Sequence, residues 1–205
     1  MKSAWCLLLL ALILPVAAFA NSSTDFSNSG GTLSGSSAGL TLTGSTLIAV
    51  NDFGTMGLVT GDNMGGVYFK TGKLISGSLQ TGGTFAAGGS FQIQANGTEG
   101  VPAAMIYNGT FSGPMTWTMV TLANGTHNYT LSGMLTGMWY TGVKVDGATV
   151  QLSINTGRGY FNGTTTISSG DTNIATSAVP EPGSLALLGT GLVGLAGVLR
   201  RRIKA

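Results

Sequence analysis

The sequence predicts an all-β domain, an antiparallel sandwich or flattened barrel of about ten short strands. An N-terminal signal peptide and one C-terminal transmembrane helix are predicted to flank it. Three observations carry this prediction. Apolar and polar residues alternate through the middle of the chain. Asn-Gly and Asp-Gly pairs punctuate those runs. Nothing between residues 21 and 178 shows a helical period with caps.

The alternation is clearest in three places. Leu40 and Leu42 alternate with Thr41 and Thr43; Phe91, Ile93 and Ala95 with Ser90, Gln92 and Gln94; Val150, Leu152 and Ile154 with Thr149, Gln151, Ser153 and Asn155. Period two places one set on a buried face and the other in water. "PMTWTMVTLA" and "HNYTLSGMLTGMWY" read as longer strands with apolar residues on both faces, hence more central ones.

The turn signals are Asn96-Gly97, Asn108-Gly109, Asn124-Gly125, Asp146-Gly147 and Asn162-Gly163. Such pairs favour the type I′ hairpin turn, which needs positive φ at both central residues. "TLANGTHNYTL" and "VKVDGATVQL" therefore read as hairpins, and Asn108-Gly109, inside a strand-like run, as a bulge. The NGT triplets starting at Asn96, Asn108, Asn124 and Asn162 have no fixed spacing, which disfavours a solenoid. They are also glycosylation sequons, as are those at Asn21 and Asn128, but a turn role is the simpler reading. The domain is expected over residues 39–167. Residues 21–38, "NSSTDFSNSGGTLSGSSA", read as a flexible leader and 168–179 as a linker.

Only 8% of the 205 residues are charged. Between the two ends, Lys70, Lys73, Lys144 and Arg158 face Asp25, Asp52, Asp62, Glu99, Asp146 and Asp171, a net charge of −2. No basic surface for nucleic acid follows. The single cysteine, Cys6, lies in the expected signal peptide, so the processed chain has no disulfide, zinc-thiolate site or thiol nucleophile.

At the N-terminus, Lys2 precedes an apolar run that ends in Ala18-Phe19-Ala20. Ala18 and Ala20 are the small residues a signal peptidase accepts, and cleavage is expected after Ala20. At the other end, Gly183–Leu199 carries no charge and spans about 25 Å as a helix, near the lower limit for crossing a bilayer. Arg200, Arg201, Arg202 and Lys204 follow; such residues resist translocation and stay cytoplasmic. "GTGLVG" at Gly189–Gly194 fits a dinucleotide fingerprint by accident, because no acidic residue or further unit follows it. Ala186, Thr190 and Gly194 instead give the helix a small-residue face.

Pro180, Glu181 and Pro182, then Gly183–Leu199, then Arg200–Arg202 together resemble a PEP-CTERM sorting signal. The resemblance covers the tail alone. It implies a bacterial, Gram-negative envelope protein. An exosortase, an integral-membrane enzyme similar to a cysteine transpeptidase, would recognise and process the tail. The implied destination is the inner membrane before processing and the cell surface or extracellular matrix after it. The implied partners are signal peptidase, exosortase, the inner membrane in transit and biofilm exopolysaccharide. Proline fixes φ and disfavours helix in the preceding residue, so Val179–Pro182 is expected to be extended, with Glu181 as a single charge to read.

Catalytic chemistry is poorly supplied. His127 is the only histidine, no G-x-S-x-G occurs, and the six body carboxylates mostly neighbour turn residues. No catalytic residue, metal or cofactor is expected. "NDFG" and "GDNMGG" offer oxygen ligands for Ca²⁺ without repeated spacing. The sequence therefore favours a non-enzymatic exported envelope protein, with a carbohydrate- or ice-binding β module as the alternative. Ice would require a flat, regular threonine face, and the Thr-x-Thr pairs at Thr41, Thr116 and Thr164 have no fixed period.

Overall fold

The computed structural model describes residues 22–176, which form thirteen strands and no helix. They are β1 (Ser22–Ser29), β2 (Thr32–Ser36), β3 (Gly39–Asn51), β4 (Val59–Lys70), β5 (Leu74–Ser78), β6 (Gly82–Phe85), β7 (Gly88–Ala95), β8 (Met105–Phe111), β9 (Met115–Thr121), β10 (His127–Trp139), β11 (Lys144–Asn155), β12 (Thr164–Thr166) and β13 (Ser169–Thr176). Every ladder is antiparallel. Strands β11, β13, β1, β3, β4, β7, β8 and β10 pair in that order, and β10 pairs back to β11. The result is a closed eight-stranded barrel, so the sandwich alternative is not realised.

The five other strands continue barrel strands past a local break. β1 and β2 run in succession along β3, with Ser29 opposite Thr46 and Thr32 opposite Thr43. Gly30 and Gly31, at φ 65° and 82°, make the break between them. β8 and β9 run in succession along β10, with Phe111 opposite Leu135 and Thr116 opposite Ser132. Here the break is Ser112-Gly113-Pro114, where proline has no N–H to give a ladder. β4 with β5, β6 with β7, and β12 with β13 behave alike. Sequence neighbours are thus sheet neighbours throughout, an up-and-down barrel. Closure removes the long edges, and the free edges left on β5 and β12 are short.

The alternation predicted from sequence sets the core. Leu40, Leu42, Phe91, Ile93, Ala95, Val150, Leu152 and Ile154 all point inward and are buried. Phe69, Phe91 and Phe111 pack edge-on or stacked inside the barrel, with centroids 6.0–6.3 Å apart. Phe53, from the loop after β3, closes one end against Phe26, Trp139 and Tyr140. Trp117, Tyr129 and Phe161 cluster elsewhere, where Trp117 Nε1 donates to the Leu79 carbonyl at 2.9 Å and Tyr129 Oη to that of Gln80 at 2.7 Å. Each such side chain contributes about 1.5–3 kcal/mol by leaving water.

Several expectations are corrected. The stretch 21–38 is no flexible leader: β1 and β2 occupy it, and Phe26 and Leu33 are fully buried. The linker 168–179 likewise begins with β13, whose Ile174 is buried. The domain boundaries 39–167 are therefore too narrow at both ends. Asp146-Gly147 is a bulge inside β11, where the register with β10 shifts between Leu135 and Thr136. The hairpin between β10 and β11 turns instead at Gly142, whose N–H donates to Trp139 O at 2.8 Å. The Asn124-Gly125 hairpin is real but not type I′, since only Gly125 has positive φ, at 81°. Asn108-Gly109 is regular strand opposite β10; the register shifts lie on its other side, towards β7, one between Gly88 and Phe91 and one between Ile93 and Gln94. The long strands are not apolar on two buried faces: Val120, Met134 and Met138 are exposed.

Candidate functional site

On one side of the barrel the outward residues are mostly Thr, Ser, Asn, Gln and Asp. Across β9, β10, β11, β13 and β1 they fall into register as rows. Thr116, Ser132, Gln151, Asp171 and Ser27 form one row. Met134, Thr149, Asn173 and Asp25 form the next. At these rows the wall carries a shallow depression of about 740 Å³, open to solvent, with Gly133, Val150 and Pro114 completing the lining. Pro114 belongs to the break between β8 and β9, so the depression lies where β10 changes partner.

One wall of this groove is fixed. Asn173 Nδ2 donates to Ser23 Oγ at 2.6 Å and to Asp25 Oδ1, and Ser27 Oγ donates to Asp171 Oδ1 at 2.7 Å. The other wall is free: the side chains of Thr116, Ser132, Thr149 and Gln151 make no hydrogen bond to other described residues. No lysine or arginine lines the groove. Met134, 55% exposed, is the largest apolar side chain in its lining.

A second depression of about 450 Å³ lies over β8, β10 and β11, lined by Asn108, Thr110, Thr136, Lys144 and Asp146 among others. Beneath it Tyr107 is fully buried and its hydroxyl has no partner. Burial, and secondarily the Asp146 carboxylate, push that phenol up to about 12.

The sequence-level candidates for chemistry are not brought together. His127 is buried, stacks on Tyr160 at 4.4 Å, and shares a 3.0 Å hydrogen bond with Thr121 Oγ1 through Nδ1. Asp52 begins the loop after β3 with φ 57°, and Asp62 lies in β4. No group of three His, Cys, Asp or Glu side chains among the described residues has the arrangement of a metal site. Two NGT triplets act as local caps: the Thr98 and Thr126 hydroxyls each donate to the preceding Asn Oδ1 at 2.8 Å. Sequence reasoning missed the groove because its residues come from five strands and share no motif.

The residues expected to direct export and sorting, Ala18, Ala20, Pro180, Glu181, Pro182 and Arg200–Arg202, lie outside the described residues, as does the predicted C-terminal helix. No helix of the described residues is long and apolar enough to cross a membrane. Residues 178–202 match the family model of the PEP-CTERM protein-sorting motif. No curated protein and no solved structure matches the chain.

Proposed function

We propose that this chain, which carries a PEP-CTERM protein-sorting motif at residues 178–202, is an exported envelope protein whose tail directs processing of the barrel by an exosortase. The motif match is the observation that carries the reading. In this scheme signal peptidase cuts after Ala20, and Gly183–Leu199 holds the chain in the inner membrane with Arg200–Arg202 on the cytoplasmic side. Pro180-Glu181-Pro182 offers the enzyme an extended segment just beyond the bilayer. The processed barrel then passes to the cell surface or matrix.

The barrel itself is proposed to be non-enzymatic. Its one histidine is held under Tyr160, and Asp25 and Asp171 already accept hydrogen bonds from neighbours. Between ice and carbohydrate, the wall supports carbohydrate: ice needs a regular hydroxyl lattice, and this face mixes amides, carboxylates and a methionine around a shallow depression.

Replacing Pro180, Glu181 and Pro182 with alanine tests the sorting step in a host with an exosortase. The wild type is expected to leave the inner membrane in shortened form, and the variant to remain there at full length. Equal size and equal membrane retention of both would reduce the tail to an ordinary anchor.

A further inference from the structure

We propose that the groove across β10, β11 and β13 binds a neutral glycan chain, which rests on the carbohydrate reading of the barrel and gives it a site and a ligand class. The argument begins with hydrogen-bonding capacity. A sugar hydroxyl is both donor and acceptor, so it is recognised best by groups of both kinds held in place. Asp25 and Asp171 supply oriented acceptors, because Asn173 and Ser27 hold one oxygen of each. Gln151, Ser132, Thr149 and Thr116 supply uncommitted amide and hydroxyl groups across the groove. Ordering the acceptors in advance lowers the entropy that binding would otherwise cost.

The shape agrees. Adjacent strands lie about 4.8 Å apart and same-face residues along a strand about 6.8 Å, so the rows present polar groups at short, regular intervals. A chain lying across the strands meets a new hydrogen-bonding side chain at each strand, from Thr116 on β9 to Asp171 on β13. Met134 and Pro114 give the apolar C–H face of a sugar ring a surface to rest on.

Charge selects the ligand class. Two carboxylates and no cation line the groove. A polyuronate or a phosphorylated glycan would bring like charge against Asp25 and Asp171 without a guanidinium or ammonium to offset it. Both carboxylates already accept hydrogen bonds from neighbouring side chains, so neither needs a cationic sugar to be satisfied.

The full chain, purified in detergent, should be applied to immobilised neutral glucans, a deacetylated glucosamine polymer and a polyuronate. Retention on a neutral glucan is expected, at least tenfold weaker for the double variant Thr149→Ala with Gln151→Ala. The outward Gln92→Ala variant on the opposite wall should bind as the wild type does. Ser132→Lys, which adds a cation to the groove, should shift preference towards the polyuronate. Circular dichroism must show the same fold for each variant. Glycan binding unchanged by the groove variants would overturn the site while leaving the carbohydrate reading intact. Preference of the wild type for either charged polymer would overturn the ligand class. No retention on any glycan would overturn both the site and the carbohydrate reading, without touching the sorting step.

Discussion

Gly109 and Gly137 face each other across the β8–β10 ladder, and the Tyr107 hydroxyl lies against both. A β-carbon on Gly137 would meet the Asn108 carbonyl and the Gly109 α-carbon as well as that hydroxyl. The first two are backbone and cannot step aside. Gly137→Ala is therefore expected to cost about 1–3 kcal/mol as overpacking. A denaturant midpoint equal to wild type would show that the pair has no packing role.

Tyr107 makes a second prediction, in pH. Its folded pKa of about 12 lies above the ordinary value of 10.0. Between these values the unfolded chain loses the phenolic proton while the folded chain keeps it, so stability falls as pH rises from 10 to 12. At 1.36 kcal/mol per unit the full loss is roughly 2–3 kcal/mol. Tyr107→Phe should remove this alkaline decline. It should also be neutral or stabilising at pH 7, since it deletes a buried hydroxyl without a partner. Urea melts of both proteins across pH 8–12 are the measurement.

The first strands are indispensable. Phe26 is fully buried and touches Phe53 and Trp139. Phe26→Ala is expected to cost about 3–5 kcal/mol. Deleting residues 21–38 opens the barrel and should abolish cooperative thermal unfolding. A truncated chain that melted like the intact one would restore the leader reading.

Gly30 and Gly31 separate two costs of a β-carbon. Both have positive φ, at 65° and 82°, but Gly30 faces open space while Gly31 has the Ser45 amide nitrogen 2.5 Å from its would-be β-carbon. Gly30→Ala should cost about 1–2 kcal/mol, the strain of the left-handed region alone. Gly31→Ala should cost clearly more, because the Ser45 backbone must also move. Equal thermal shifts would mean that the contact at Gly31 relaxes freely.

What sequence reveals here depends on what faces inward. Where large apolar residues alternate, as at Phe91, Ile93 and Ala95, the strand and its buried face were both legible. β1 hid because its inward residues are Thr24, Phe26 and Asn28, a polar, aromatic, polar series that looks like a loop. The structure satisfies Asn28 internally, through a 2.7 Å hydrogen bond to Ser45 Oγ. β13 hid for the same reason, with Gly170, Thr172 and Ile174 inward. Asp146-Gly147 misled because a glycine with positive φ, here 88°, serves a bulge as well as a turn, and only the partner strand tells them apart. The tail was legible because its signal is linear. The groove was not, because register alone brings Thr116 and Asp171 into one row.

Pairing of β1 with β13 gives the barrel a seam, and the seam sets an order of events. Asp25 and Asn173, bonded across it, stand 148 positions apart in the chain. Strands β3 to β11 can pair as they emerge, since their ladders join residues at most 34 positions apart, as Gly83 and Trp117 are. β1 keeps one side unsatisfied until β13 arrives. As the chain is delivered from its N-terminus, the first strand therefore waits, half paired and open to aggregation, for nearly the whole domain to follow. The last strand to emerge is the one that locks the first.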